Sequence, residues 1–333
     1  MTPAGAPSAD LDTSGPDQVF WLSNGRLTLG IVPALGGRLL SLQFGGRELL
    51  YRNAELIDHR LHRRDASLRP PVDVTMASWR NYGGDKTWPA PQGWSGPAQW
   101  PGPPDPVLDS GPYVPTLTLA DDSVTLAMTS APDRRSGLQI TRTVRLRAGS
   151  VEYELRQRFE AVDRPVRWAI WDVLQLRAES SGDPRDGWYA TVVDSPDSAI
   201  ELLSGNGFPA HSIADGVMVV PFQEIVGKLG VPGASGRVAT WLDGVAVTQR
   251  FSVVEGAEYP DRGSRAEIWL ECPLPHPLAH LGGLDPPARI IESEVLGPLI
   301  TLMPGESTSS NVVVGVTTEF VPATWATRPQ RRS

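Results

Sequence analysis

Leu138-Gln139-Ile140-Thr141-Arg142-Thr143-Val144-Arg145-Leu146-Arg147-Ala148-Gly149-Ser150-Val151-Glu152-Tyr153-Glu154-Leu155-Arg156-Gln157-Arg158-Phe159-Glu160 is the stretch that decides the fold class. Leu138, Ile140, Val144 and Leu146 alternate with polar residues, and after Ala148-Gly149-Ser150 so do Val151, Tyr153, Leu155 and Phe159. A period of two belongs to a β-strand with one buried face, and the short Gly-containing turn folds the two runs into an antiparallel hairpin. Arg145, Arg147, Glu152, Glu154, Arg156 and Arg158 then fall on the opposite, solvated face.

The same pattern extends in both directions. Residues 114–119 and 123–129 read as a second hairpin around Ala120-Asp121-Asp122, and residues 20–22, 27–32, 38–44 and 48–51 as an N-terminal meander. Further strands are predicted at 166–176, 199–203, 217–221, 237–242, 245–253, 265–271, 289–296 and 309–317. The 33 Gly and 32 Pro punctuate the chain into short segments, few of which sustain helical periodicity for three turns. No fixed-length repeat is visible, which argues against a propeller. The fold class is therefore all-β, a large antiparallel sandwich.

Length and composition bound the rest. A chain of 333 residues with 40% hydrophobic content holds an ample core, and no apolar run is long enough to span a bilayer. Residues 1–17, rich in Pro, Ala, Ser and Asp, read as a disordered lead-in, followed by one domain over 18–322 and a tail over 323–333. Net charge is −8, and the only basic run, His59-Arg60-Leu61-His62-Arg63-Arg64, reads as a solvated loop, so nucleic acid is not an expected partner. The single cysteine, Cys272, excludes an internal disulfide framework and suits a reducing cytoplasm; it reads as a small buried hydrophobe. None of the five histidines (His59, His62, His211, His276, His280) has metal-ligand spacing from another, and no cofactor motif is present.

Chemistry concentrates in Trp79-Arg80-Asn81-Tyr82-Gly83-Gly84-Asp85-Lys86-Thr87-Trp88-Pro89 and the segment after it. Trp79, Trp88, Trp94 and Trp100, four of eleven tryptophans, are interleaved there with Arg80, Asp85 and Lys86. Flat indoles beside hydrogen-bonding charges suit a polyhydroxylated ring, whose C–H face packs on an aromatic while its hydroxyls take directional bonds. Residues 81–112 hold six Gly and eight Pro and read as a long functional loop. At least one of these indoles, Trp79 first, is expected to be core.

Several segments together resemble the galactose-mutarotase-like superfamily, and more narrowly its DUF4380 branch. Leu29-Gly30-Ile31-Val32-Pro33-Ala34-Leu35-Gly36-Gly37-Arg38-Leu39-Leu40-Ser41-Leu42 resembles the superfamily's first strand pair, and Asn81-Tyr82-Gly83-Gly84-Asp85-Lys86-Thr87-Trp88-Pro89-Ala90-Pro91-Gln92 is similar to the branch's most specific motif. Lys228-Leu229-Gly230, Tyr259-Pro260-Asp261-Arg262-Gly263, Glu292-Ser293-Glu294-Val295-Leu296-Gly297-Pro298-Leu299 and Pro304-Gly305-Glu306-Ser307 follow in the expected order, over roughly residues 18 to 320. The resemblance implies a β-supersandwich whose ligand cleft lies on a concave sheet face, and a small-molecule carbohydrate or glycoside as partner.

In the superfamily's sugar epimerases the base is a Glu on a late strand before a Pro-Gly turn, and the resemblance places it at Glu292, with Glu294 where the family has Gln. Alternation puts Ile290, Glu292, Glu294 and Leu296 on one face. The family's acid is a His on a mid-chain strand; here Trp171 holds that position, and an indole has no titrating proton. Arg167, Trp171 and Gln175 share the cleft face, while Asp172 points to the apolar face as a satisfied buried polar group. Arg265, Glu267, Trp269 and Glu271 form a polar strand face on which Glu267 is a candidate to bind sugar hydroxyls or to serve as the acid.

Candidate catalytic residues are thus Glu292, Glu267 and Glu294. Candidate binding residues are Arg80, Asn81, Asp85, Lys86, Trp88, Trp171, Lys228, Asp261 and Trp269, with Asp85 pairing Lys86 or Arg80 and the two lysines offered to an anionic substituent. The first reading is an epimerase-like enzyme. The alternatives are a non-catalytic carbohydrate-binding protein, a glycoside hydrolase or lyase using Glu267 and Glu292, and a glycoside-tailoring enzyme.

Overall fold

The computed structural model describes residues 5–67, 70, 75–93, 95–178, 187–195 and 197–319. Two antiparallel sheets, of twelve and ten strands among the described residues, pack face to face. The quoted hairpin forms strands Leu138–Arg147 and Glu152–Ala161 in the ten-stranded sheet, with Leu138, Ile140, Val144, Leu146, Tyr153, Leu155 and Phe159 buried against the other sheet. Both inner faces feed one large apolar cluster, the arrangement expected of stacked sheets.

Two residues of the hairpin interrupt that inner face. Arg142 and Gln157 lie in register opposite each other on the hairpin, and both are fully buried. Arg142 donates to Asp85 Oδ1 and to the Gly37 and Asp85 carbonyls of the facing sheet. Gln157 accepts from Thr87, and Tyr153 donates to Asp85 Oδ2. Gln249 and Ser293 extend the network to Asp172. Burial, and after it the neighbouring Asp85, push the Asp172 carboxyl well above the usual carboxylate range. Asp172 is therefore buried as the alternation implies, but only its Oδ2 is bonded, to Gln249, and its Oδ1 has no partner among the described residues.

The twelve-stranded sheet carries the site. Its middle strands run in the order Asp85–Ala90, Val166–Arg177, Ile290–Leu296, Ala266–Glu271 and Gly227–Val231. Asp85–Ala90 corrects the expectation of a continuous loop over 81–112. All six of its residues are buried, and it pairs with the Val166 strand from Asp85 to Ala90. On its other side it meets strand Arg38–Phe44 only at Asp85, so Pro89 breaks no ladder there.

The N-terminus is a second correction. Ser8–Asp12 forms a strand paired along its length with Val19–Ser23. Arg60 and His62 reach Asp12, and Arg63 grips Asp17 with a forked contact. The basic run is a clamp on the lead-in, with His62 itself buried. No helix among the described residues is long and apolar enough to cross a membrane.

Candidate active site on the outer sheet face

Successive residues of a strand point to opposite faces, so each middle strand feeds both the sandwich interior and the outer face. Asp85 and Thr87 bond inward, and Lys86 and Trp88 point outward. Ile291, Ser293 and Val295 sit inside while Glu292 and Glu294 face out, directly opposite Gln175 and Val173 on one side and Trp269 and Glu267 on the other. Outward groups of five strands meet above the sheet. There a 260 Å³ cavity is lined by Trp79, Trp88, Trp171, Trp269, Lys228, Glu271 and Glu292 of the floor and walls, with loop residues Gln92, Gly93, Ser95 and Gln99 and an apolar side described below.

Glu292 accepts hydrogen bonds from Lys86 Nζ at 3.3 Å and from the Gln175 amide. Both donors use Oε1, and Oε2 makes no hydrogen bond among the described residues. Lys86 is itself buried, its ammonium 4.6 Å from the Trp88 ring centroid and 5.8 Å from that of Trp79. Burial pulls the Lys86 ammonium down and Glu292 pulls it back up. Lys86 does not line the cavity; it sits beneath Glu292 and fixes it.

Glu271, paired with Ile290 two residue pairs along from the Trp269–Glu292 pairing, is the diagonal neighbour of Glu292, a backbone spacing of ~7–8 Å. Its Oε1 accepts from Trp269 Nε1 at 2.9 Å, and its buried Oε2 has no partner among the described residues. Burial, helped by the Glu292 charge, pushes the Glu271 carboxyl up to about 8. It is protonated at neutral pH. Trp88 Nε1 is likewise buried without a partner. Sequence reasoning named Glu271 only as part of a polar strand face and passed over it as an acid; the available signal was its place two residues beyond Trp269, on the face shared with Glu267.

Glu267 and Glu294 take a different part. Both grip Lys228 Nζ at 2.7 Å, and Trp171 Nε1 donates to Glu294 at 2.7 Å. The Lys228 ammonium lies 4.4 Å from the Trp171 ring centroid. Burial raises both carboxyls, and Lys228 opposes the shift. Asp261, raised by burial and lowered by Lys228, adjoins the same cluster. Neither Glu267 nor Glu294 lines the cavity, so the pair forms a support for Lys228 rather than a wall of the site.

Several expectations are corrected by this geometry. Asp85 bonds Arg142 inside the sandwich, with neither Lys86 nor Arg80 as its partner, because the strand's alternation sends it inward. Lys86 and Lys228 are paired within the protein, Lys86 with Glu292 and Lys228 with Glu267 and Glu294. Arg80 and Asn81 stand outside the cavity lining; Asn81 is buried and accepts from the Gly83 N–H, shaping the turn into Asp85–Ala90. Trp79 is a half-buried cavity wall, T-shaped on Trp88 with centroids 6.0 Å apart and its Nε1 donating to Asp109. The core indole of the group is Trp100, fully buried and bonded to Asp105; Trp94 lies outside the described residues.

A family model described as "Domain of unknown function (DUF4380)" matches residues 18–316. Solved structures with this fold include the Slr1438 protein of Synechocystis sp. PCC 6803, 16% identical at a TM-score of 0.54 over 96% of this chain and 98% of that one. A putative aldose 1-epimerase of Escherichia coli K12 is 15% identical, with a TM-score of 0.51 over 90% and 98% of the two chains. A TPR-domain containing protein of Parabacteroides distasonis ATCC 8503 gives 0.59 at 14% identity over 95% of this chain, which spans only 50% of that longer protein. No curated protein matches the chain. The likeness establishes a galactose mutarotase-like fold.

Proposed function

The chain belongs to the DUF4380 family, and on that premise we propose that it is an enzyme performing acid–base catalysis at the anomeric centre of a neutral sugar, a reaction of aldose 1-epimerase type. One observation carries the reading: a carboxylate with a free oxygen, Glu292, and a protonated carboxyl, Glu271, line the same indole-walled cavity.

In this reaction Glu292 Oε2 takes the proton of the anomeric hydroxyl while Glu271 gives its proton to the ring oxygen. The C1–O5 bond breaks as the C1 carbonyl forms, and C1–C2 rotates. Closure on the opposite face returns each proton to its donor. Each such group contributes roughly 10²–10⁴-fold. Trp88, Trp171 and Trp269 offer apolar faces to the ring's C–H side, and Trp88 Nε1 and Glu271 Oε2 are polar atoms a sugar hydroxyl would satisfy. Glu271 thus supplies the proton that Trp171, at the position of the superfamily's His, has no means to give. That a putative aldose 1-epimerase of Escherichia coli K12 shares the fold supports this chemistry.

Anomeric exchange measured by NMR across neutral aldoses tests the proposal. Glu292→Gln and Glu271→Gln should each slow exchange by 10²–10⁴-fold while sugar affinity stays within a few-fold. Exchange by the wild type no faster than in buffer would refute it. A second reading, a non-catalytic carbohydrate-binding protein, is favoured by the Trp171–Glu294 hydrogen bond, which ties up the indole that the resemblance aligns with the superfamily's acid; it requires sugar binding with no exchange at all.

A further inference from the structure

The charged and apolar sides of the cavity come from different parts of the chain. Glu271, Glu292 and Lys228 project from the sheet. Facing them are Met76, in the single-turn helix Met76–Ser78, and Leu281 and Leu284, in and after the turn Ala279–Leu281. The two turns are tied by the Ala77 N–H donating to the Gly282 carbonyl at 3.0 Å. Met76, Leu281, Leu284 and Trp269 belong to one satellite apolar cluster, which Trp79 joins to the sandwich core. At the mouth, Leu203 stands opposite Lys228 in the edge strand Ile200–Ser204 and remains 41% exposed.

A bare sugar has nothing to set against such a wall. Its two C–H faces are served by the indoles, and a hydroxyl pressed on Met or Leu loses water without gaining a partner. A hexose, with twelve non-hydrogen atoms, occupies roughly 200 Å³ at interior packing density, which leaves part of the cavity and its mouth unfilled. We infer that the natural ligand is a neutral sugar carrying an apolar substituent of about one ring in size, seated on Met76, Leu203, Leu281 and Leu284. This rests on the sugar reading above. Because that chemistry needs a free anomeric hydroxyl, the substituent sits on another ring position.

Titration calorimetry on the full chain tests it, with glucose, galactose and mannose carrying one O-methyl or one O-benzyl group at O2, O3, O4 or O6, and with benzyl alcohol alone. At one position of the sugar that binds, the benzyl derivative should bind at least tenfold more tightly than its methyl counterpart. Leu203→Ser, at an exposed site whose change leaves the fold intact, should cut that ratio below threefold, as should Met76→Ser in a variant with an unchanged melting temperature. Equal affinity of methyl and benzyl derivatives at every position overturns the inference and leaves the sugar reading standing. A ratio that survives both variants also overturns it. Absence of binding by every sugar, or benzyl alcohol binding as tightly as its sugar derivatives, overturns the sugar reading along with it.

Discussion

Glu271 concentrates the chemistry of this site in one proton. Its carboxyl is held up at about 8 chiefly by burial, so the neutral form persists across neutral pH. As the acid, it should give kcat/KM a descending limb centred near pH 8, read from the pH profile of anomeric exchange. The same shift bears on stability. A carboxyl raised on folding stabilises fully below its unfolded value near 4.5 and loses that contribution as pH rises towards 8, at about 1.4 kcal/mol per unit. Glu271→Gln, which keeps the neutral shape, should flatten the fall in stability between pH 5 and 9, measured by denaturant unfolding at each pH. At this scale the sequence was partly legible. Alternation aligned Trp171, Gln175, Glu292 and Glu294 on one face, but it left Asp85 and Lys86 undecided, because a strand with a protein core on one side and a cleft on the other reads as polar on both.

The strand Asp85–Ala90 shows what elements demand that patterns conceal. It enters through Gly83 and Gly84, both at positive φ, and a Cβ on Gly84 would lie 2.3 Å from the Leu39 carbonyl oxygen. Gly84→Ala should therefore cost at least ~1–3 kcal/mol, measured by urea unfolding, and loosen the Lys86–Glu292 pair with it. Behind the strand, Arg142→Leu would leave Asp85 buried without its cation, and we expect a loss of about 3–5 kcal/mol. The double variant Arg142→Leu/Asp85→Leu should recover part of that loss in the same assay, since no unpaired charge remains. Proline and glycine density disguised this element as loop, because local propensity counts Pro89 against a strand whether or not a neighbour needs its N–H. Arg142 was legible in principle: it is the one charged residue at an apolar position of the hairpin Leu138–Glu160, and a cation there calls for a buried acid on the facing sheet.

Charge at the scale of the molecule points the same way as the cleft. The chain carries −8 overall, and around the cavity Glu292, Glu294, Glu267, Glu271 and Asp261 surround Lys86 and Lys228. A phosphorylated or acidic sugar should bind at least tenfold more weakly than its neutral parent, compared by calorimetry at fixed ionic strength. The sandwich was readable from hairpin alternation alone, since a period of two over long segments admits few architectures. Edge strand Ser8–Asp12 was not, because it is only five residues long and largely exposed, and it is held by pairing with the next strand, Val19–Ser23, and by Arg60, 48 residues further on. The indoles of Trp79, Trp100 and Trp171 each approach Trp88 within 6.0 Å between ring centroids. Chromophores that close share their excited states. The folded protein should therefore show an exciton-coupled circular dichroism feature in the far ultraviolet, and an occupant resting against Trp79, Trp88 and Trp171 should change its amplitude, giving a label-free optical gauge of occupancy.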